Sequence, residues 1–419
     1  MKKLVLSLLI MVLALPLAFA QTELVIFIGS REDPDLMQSL LDEFNAANPG
    51  ITARYEIGGD TSELQQQYLN TVLTSKSGDI DLFLVDVVRP AQYAAAEWAT
   101  PLNQFYSDDT AMMAALEDFL PGPVNADLID GTLWAMPAYT DAQFLYYRKD
   151  LLEKYGFEAP KTWAELKDQA LTILAGEGDD TLQGFNYQGA AIEGTVCTFL
   201  EPLWTTGSDW RDADGNITID TPEARQVLEW YADTMASGIT KANIAEEKTD
   251  DSRVAFQAGD VVFMLNWGYA WSRFQGDEDS QVKDMVGVAP LPAFEGHESA
   301  TCIGGWQWVI NNYSDHKAEA FKLVEFMSSP EVQERLAAEA SRIPARKSLY
   351  SNENVLAAAP HFGLFYDTIL NARPRPVTPY YDDVSQLIRT TMNAYLAGST
   401  NIEGALIDMQ IGMEDIFSQ

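Results

Sequence analysis

Residues 22–86 open on TELVIFI (Thr22–Ile28) and close on IDLFLVD (Ile80–Asp86), and the spacing of apolar residues between these runs decides the fold. TELVIFI is a short β-rich run. From Pro34 to Asn48 the residues Leu36, Leu40, Leu41 and Phe44 recur at helical spacing, so one face of a helix is apolar. Ile51–Ile57 alternates apolar and polar side chains as a strand, Ser62–Ser75 reads as a second helix, and Ile80–Val85 is a buried-strand pattern ending at Asp86. Strand alternating with helix predicts an α/β architecture with largely parallel sheets. Ligands of such sheets collect beyond the carboxyl ends of strands, which singles out Asp86.

The same rhythm runs outward along the chain. TLWAMP (Thr132–Pro137) reads as a strand, Tyr139-Thr140-Asp141 follows it, and Phe144–Tyr147 is another β-rich run. Thr162 with Glu165 three residues on predicts a capping box, and Thr221 before Pro222 predicts a second helix start. VVFMLN (Val261–Asn266) is one more buried strand, and WQWVI (Trp306–Ile310) precedes helices at Lys317–Met327 and from Pro330. No internal repeat or low-complexity tract interrupts the pattern.

At 419 residues the chain exceeds what one hydrophobic core usually organises, so two lobes are expected. Lys2 and Lys3, the apolar run Leu4–Leu15 and the ending Ala18-Phe19-Ala20 predict a secretory signal over residues 1–20, cleaved to leave Gln21. The run falls short of the roughly 20 residues of a spanning helix. No cysteine near the junction suggests a lipid anchor, so a freely soluble periplasmic protein is expected. The net charge of −35 argues against nucleic acid and anionic lipid as partners. An oxidising destination allows the two cysteines, Cys197 and Cys302, to form a disulfide; two buried free thiols are the other state open to them.

Several segments then carry a family resemblance: FNAANPG (Phe44–Gly50), DLFLVD (Asp81–Asp86), YYRKDLL (Tyr146–Leu152) with PKTW (Pro160–Trp163), FQAGD (Phe256–Asp260), NWGYAW (Asn266–Trp271), PLP (Pro290–Pro292), GGW (Gly304–Trp306) and RPVTPYY (Arg375–Tyr381). In this order and spacing, across nearly the whole chain, the sequence resembles family 1 of the extracellular solute-binding proteins, and most closely its trehalose/maltose-binding branch. The resemblance implies a periplasmic-binding-protein-like fold of two discontinuous α/β lobes with a hinge and an interlobe ligand cleft. It implies a first lobe of residues 21–138 plus about 300–343 and a second of 139–299 plus about 344–419. Crossings are expected near Pro137–Tyr139, Pro292–Cys302 and Ser341–Ala345. The implied function is that of a monomeric, non-enzymatic subunit that closes on an oligosaccharide, an α-glucoside of the maltose or trehalose type, and hands it to the membrane subunits of an ABC permease. No cofactor or metal is implied.

A sugar presents hydroxyls at its edge and C–H patches on its faces, so a receptor needs aromatic planes and charged hydrogen-bonding groups. For stacking, the resemblance implies Trp267, Tyr269 and Trp306, with Gly305 letting the backbone approach. For hydrogen bonding it implies Asp86, Tyr139, Asp141 and Arg375. Trp98, Trp163 and Trp230 read as core. Two departures affect the set. The branch has an arginine on the second helix where this chain reads Gln65-Gln66-Gln67, of which Gln66 aligns best. In the first loop Asp33 is the preferred binding acid, with Glu32 and Asp35 competing. Losing the arginine removes up to five donors from one end of the cleft and puts trehalose itself in doubt.

Two rivals remain. A glycoside hydrolase needs two carboxyl groups flanking the scissile bond, and 62 acidic residues supply candidates, but the resemblance is to non-catalytic receptors. A receptor for a cationic solute or a peptide would also suit an aromatic and acidic site. A metal or nucleotide enzyme is poorly served by three histidines, no HExxH, no phosphate loop and no CxxC.

Overall fold

The computed structural model describes residues 21–418. The expected signal segment, residues 1–20, lies outside them. Among the described residues no helix is long and apolar enough to cross a membrane.

The chain opens with β1 (Thr22–Ile28), α1 (Pro34–Ala47), β2 (Ile51–Ile57), α2 (Ser62–Thr74) and β3 (Leu82–Asp86). α1 starts at Asp33, whose carboxylate accepts from the backbone N–H of Asp35 and Leu36, and Pro34 fills the first helical position where no N–H is needed. Its buried face carries Leu36, Leu40, Leu41 and Phe44, the residues that the spacing selected.

A two-residue ribbon of β4 (Leu128–Ile129) and β5 (Thr132–Leu133) precedes β6 (Met136–Arg148), a strand of 13 residues. Then come β7 (Gln183–Asn186), β8 (Val261–Trp267), β9 (Val286–Ala289) and β10 (Ile303–Ile310). The strand order is β2-β1-β3-β10-β6-β8-β7, with β9 also on β6. β1 pairs in parallel with β2 and β3, and β7 with β8, but β10 and β6 run antiparallel to their neighbours. The sheets are therefore mixed where largely parallel ones were expected, because the returning strand β10 is inserted between β3 and β6.

β6 joins the two lobes. Met136–Ala142 pairs with β10, whereas Gln143–Tyr147 pairs with β8 and Leu145–Arg148 with β9. One unbroken strand thus changes partners between Ala142 and Gln143. Tyr139-Thr140-Asp141 lies inside it, and the apolar run before it is broken at Trp134-Ala135.

Each sheet is covered on both faces. In the first lobe Leu24, Ile26 and Ile28 of β1 pack in one cluster with Leu82 and Leu84, while Val25 and Phe27 pack on the other side with Phe83 and Val85. This is period-2 alternation between two apolar layers. In the second lobe Phe144 and Tyr146 face one cluster and Leu145 the other. Trp163 and Trp230 are core residues with ring centroids 5.7 Å apart, and Trp163 Nε1 donates to Thr205 Oγ1 at 3.0 Å. Trp98 packs edge-on against Tyr93.

The expected disulfide is corrected. Cys197, on the fully buried helix Gly194–Trp204, and Cys302, just before β10, are both free and buried. Their sulfurs and a Glu201 carboxylate oxygen lie within 4.8 Å of one another, but no S–S bond, of about 2.05 Å, joins them. Glu201 Oε1 accepts from Cys302 N at 2.8 Å and from Thr301 Oγ1 at 3.1 Å, and burial pushes its carboxyl up to about 8 against these bonds. The folded protein thus holds this proton more tightly than the unfolded chain does. The stability it supplies is complete below the ordinary carboxyl range and is lost as pH rises through about 8. Glu201→Gln keeps the accepting oxygen without the charge, so its unfolding midpoint in denaturant should fall less than that of the parent as pH rises from about 5 to about 8. Parallel pH profiles for the two proteins would contradict this assignment.

Candidate ligand cleft between the lobes

A cavity of about 840 Å³ lies where β6 passes between the lobes. Its floor is set by strand register. Asp86 ends β3 opposite Trp306 of β10, and Trp306 in turn stands opposite Tyr139 of β6, so an acid, an indole and a phenol form one row across three strands.

The two glycines before Trp306 make this row possible. A Cβ on Gly304 would fall 2.6 Å from the Trp267 ring, so only glycine leaves space for that indole. Gly305 has φ of 120°, and a Cβ there would fall 2.5 Å from the Tyr139 carbonyl oxygen. Its close approach is therefore to the backbone of β6, in addition to its place on the cavity wall.

Asp141 lies two residues beyond Tyr139 on the same strand. Its Oδ1 accepts from the backbone N–H of Ala142 and Gly268, both at 2.8 Å. Burial drives its pKa up to about 7; the Gly268 and Ala142 hydrogen bonds and the Arg342 charge act in the opposite direction.

Arg375 is almost wholly buried and spans the lobes. Its Nη2 donates to Asp86 Oδ1 at 2.9 Å and its Nη1 to Glu193 Oε1 at 2.7 Å, while the guanidinium carbon sits 5.9 Å from the Trp267 ring centroid. Burial works against its charge, yet Asp86 and the other acidic groups around it outweigh burial and hold it protonated. Glu193 is further held by Tyr381 and Ser385. Arg373, two residues earlier, instead pairs with Asp209 at a partly exposed site.

The first loop contributes Glu32 to the same centre. Tyr139 donates its hydroxyl to Glu32 Oε1 at 2.6 Å, and Arg342 approaches Glu32 Oε2 at 3.2 Å with its guanidinium 5.0 Å from the Tyr139 ring. Asp33 lines the cavity but spends Oδ1 on capping α1. At the mouth Tyr269 donates to Asp250 at 2.9 Å, and Asp250 pairs with Arg31 of the first lobe at 3.1 Å.

Thus Asp33, Asp86, Tyr139, Asp141, Trp267, Tyr269, Gly305, Trp306 and Arg375 all line one cavity, and Gln66 does not. Gln66 is buried under α2, accepting from the Tyr93 hydroxyl and donating to Asn70, because one residue of helix rotates a side chain by about 100°. Gln65 is the glutamine on the wall. Sequence reasoning missed Arg342, Glu193 and Asp250. None lies in a segment that carried the resemblance, and a charged residue in an acidic chain offers no local signal.

Asp141 accepts from a ligand hydroxyl most strongly when the carboxyl is ionised, because a charge-assisted hydrogen bond is about twice as strong as a neutral one. Since its pKa is raised to about 7, binding should strengthen as pH rises through that value, and Asp141→Asn should flatten the dependence. Calorimetry between about pH 5 and pH 9 checks this, and an identical profile in the variant would refute it.

Comparison with known proteins fits this geometry. The family model for bacterial extracellular solute-binding proteins matches residues 29–334. A probable ABC transporter-binding protein of Deinococcus radiodurans is 36% identical over 335 residues, covering 77% of each chain. The mannitol-binding protein of Pseudomonas aeruginosa is 25% identical over 87% of this chain and 83% of its own length. Among solved structures, maltose-bound MalE3 of T. maritima superposes with a TM-score of 0.87 at 35% identity, over 94% of this chain and all of the other. The chain belongs to the bacterial extracellular solute-binding proteins, the non-enzymatic substrate-binding subunits of ABC transporters.

Proposed function

We propose that the protein binds an oligosaccharide of the α-glucoside type in the cleft, closes on it about β6, and presents the closed form to an ABC permease outside the cytoplasmic membrane. The observation that carries this reading is the row Asp86, Trp306 and Tyr139, set in a cavity with Trp267 and Arg375. It offers aromatic planes for sugar faces and charged groups for hydroxyls. The cavity has room for more than one sugar ring, which favours a disaccharide or longer. The maltose in the related MalE3 structure supports the α-glucoside class.

In this reading the first lobe is residues 21–138 plus about 300–343, and the second is 139–299 plus about 344–419. The strand β6, the approach to β10 and the segment after Ser341 form the hinge. The mature chain acts as a monomer, released by cleavage after Ala20. No bond of the cargo is broken.

Isothermal calorimetry with maltose, maltotriose and trehalose, alongside a polyamine and a peptide, tests the class. At least one α-glucoside should bind, and Trp306→Ala and Trp267→Ala should each lose about 2 kcal/mol or more, as buried aromatic anchors do. Circular dichroism should show both variants folded. Binding of only the polyamine or the peptide, or unchanged affinity in both variants, would overturn the reading.

A further inference from the structure

Charge is distributed unequally along the cleft. Every arginine that lines it is matched with a carboxylate: Arg31 and Arg253 with Asp250, Arg273 with Asp277, Arg342 with Glu32, and Arg375 with Asp86 and Glu193. The reverse does not hold. Asp33, Asp60, Glu63 and Asp141 also line the cavity, and none of them has a cationic partner within ion-pair distance among the described residues.

Three of these acids gather at one end, where the loop after β1 meets the start of α2. Ser30 N and Gln65 Nε2 both donate to the Gly59 carbonyl, at 3.3 and 3.0 Å, and this ties the two segments together. Gln65 is only 4% exposed, and a Cβ on Gly29 would fall 2.3 Å from its Nε2, so the amide is tightly seated beneath that glycine. With Nε2 occupied, Gln65 Oε1 is buried with no hydrogen-bond partner, and so is Glu63 Oε2, each on a residue that lines the cavity.

Both of these atoms are acceptors, and a buried acceptor left without a donor is destabilised. The N-termini of α1 and α2 add about half a positive charge each at this end, less than the negative charge of Asp33, Asp60 and Glu63. A neutral hydroxyl supplies one donor and leaves the charge uncompensated. An ammonium supplies three donors and a positive charge.

We propose that the end of the cleft formed by Glu63 and Gln65 is a subsite for an ammonium group, so that the preferred solute is an oligosaccharide bearing a primary amine. This rests on the sugar reading above and narrows it.

The test is competitive calorimetry on the intact protein, with maltotriose set against amino-substituted maltotrioses and glucosamine oligosaccharides of the same length. At least one amine-bearing sugar should bind about tenfold more tightly than maltotriose, the gain expected of a charge-assisted contact. The ratio should shrink with added salt and collapse to near unity in Glu63→Gln. Maltotriose binding as tightly as every amine-bearing sugar, or a preference that survives Glu63→Gln, would overturn this inference and leave the sugar reading standing. Failure of every sugar to bind would overturn both.

Discussion

The rest of the molecule is arranged around β6, a single strand of 13 residues whose hydrogen-bonding partners change midway. An extended strand cannot serve two sheets unless its side chains satisfy two cores, and β6 does this segment by segment. Ala138 and Tyr139 contribute to the first-lobe core, whereas Phe144, Leu145 and Tyr146 contribute to the second. Between them sits Asp141, where the strand leaves one sheet and enters the other. The cleft is a consequence of that handover, because the strand ends and loops of both lobes open toward the same few residues.

Electrostatics then give the cleft its character. Arg375 joins Asp86 of the first lobe to Glu193 of the second with little exposure to water. A buried ion pair of this kind is weak evidence for net stability, since desolvation offsets much of the attraction, but removing one partner strands the other charge at a cost of about 3–5 kcal/mol. The triad therefore fixes which groups face each other across the lobes. Glu32, Tyr139 and Arg342 form a second centre of the same kind nearer the first loop. Both centres tie their side chains to one another, which limits the rotamers that binding a solute in the proposed cleft would have to order.

Much of this was legible in the sequence, for physical reasons that differ by element. The helix over Pro34–Ala47 and the strands β1 and β3 follow from apolar spacing, and the capping box at Thr162 with Glu165 forms as its residues predict. The continuity of β6 was not legible, because TLWAMP and Phe144–Tyr147 read as two separate strands, with the polar residues Thr140, Asp141 and Gln143 interrupting the apolar run between them. Gln66 illustrates the limit at the site: alignment selects a helix position to within one residue, and one residue decides whether a side chain reaches the cavity or the core. The pairing of Cys197 with Cys302 was legible as proximity only, since two sulfurs can be neighbours without being bonded.

In the proposed reading the solute is held by groups from both lobes, so its binding should favour the closed arrangement through its differential affinity for the two states. Small-angle scattering on the mature protein, with and without a saturating concentration of a sugar shown by calorimetry to bind, measures that directly. The account predicts a smaller radius of gyration in the bound sample, and superimposable profiles at saturation would contradict it.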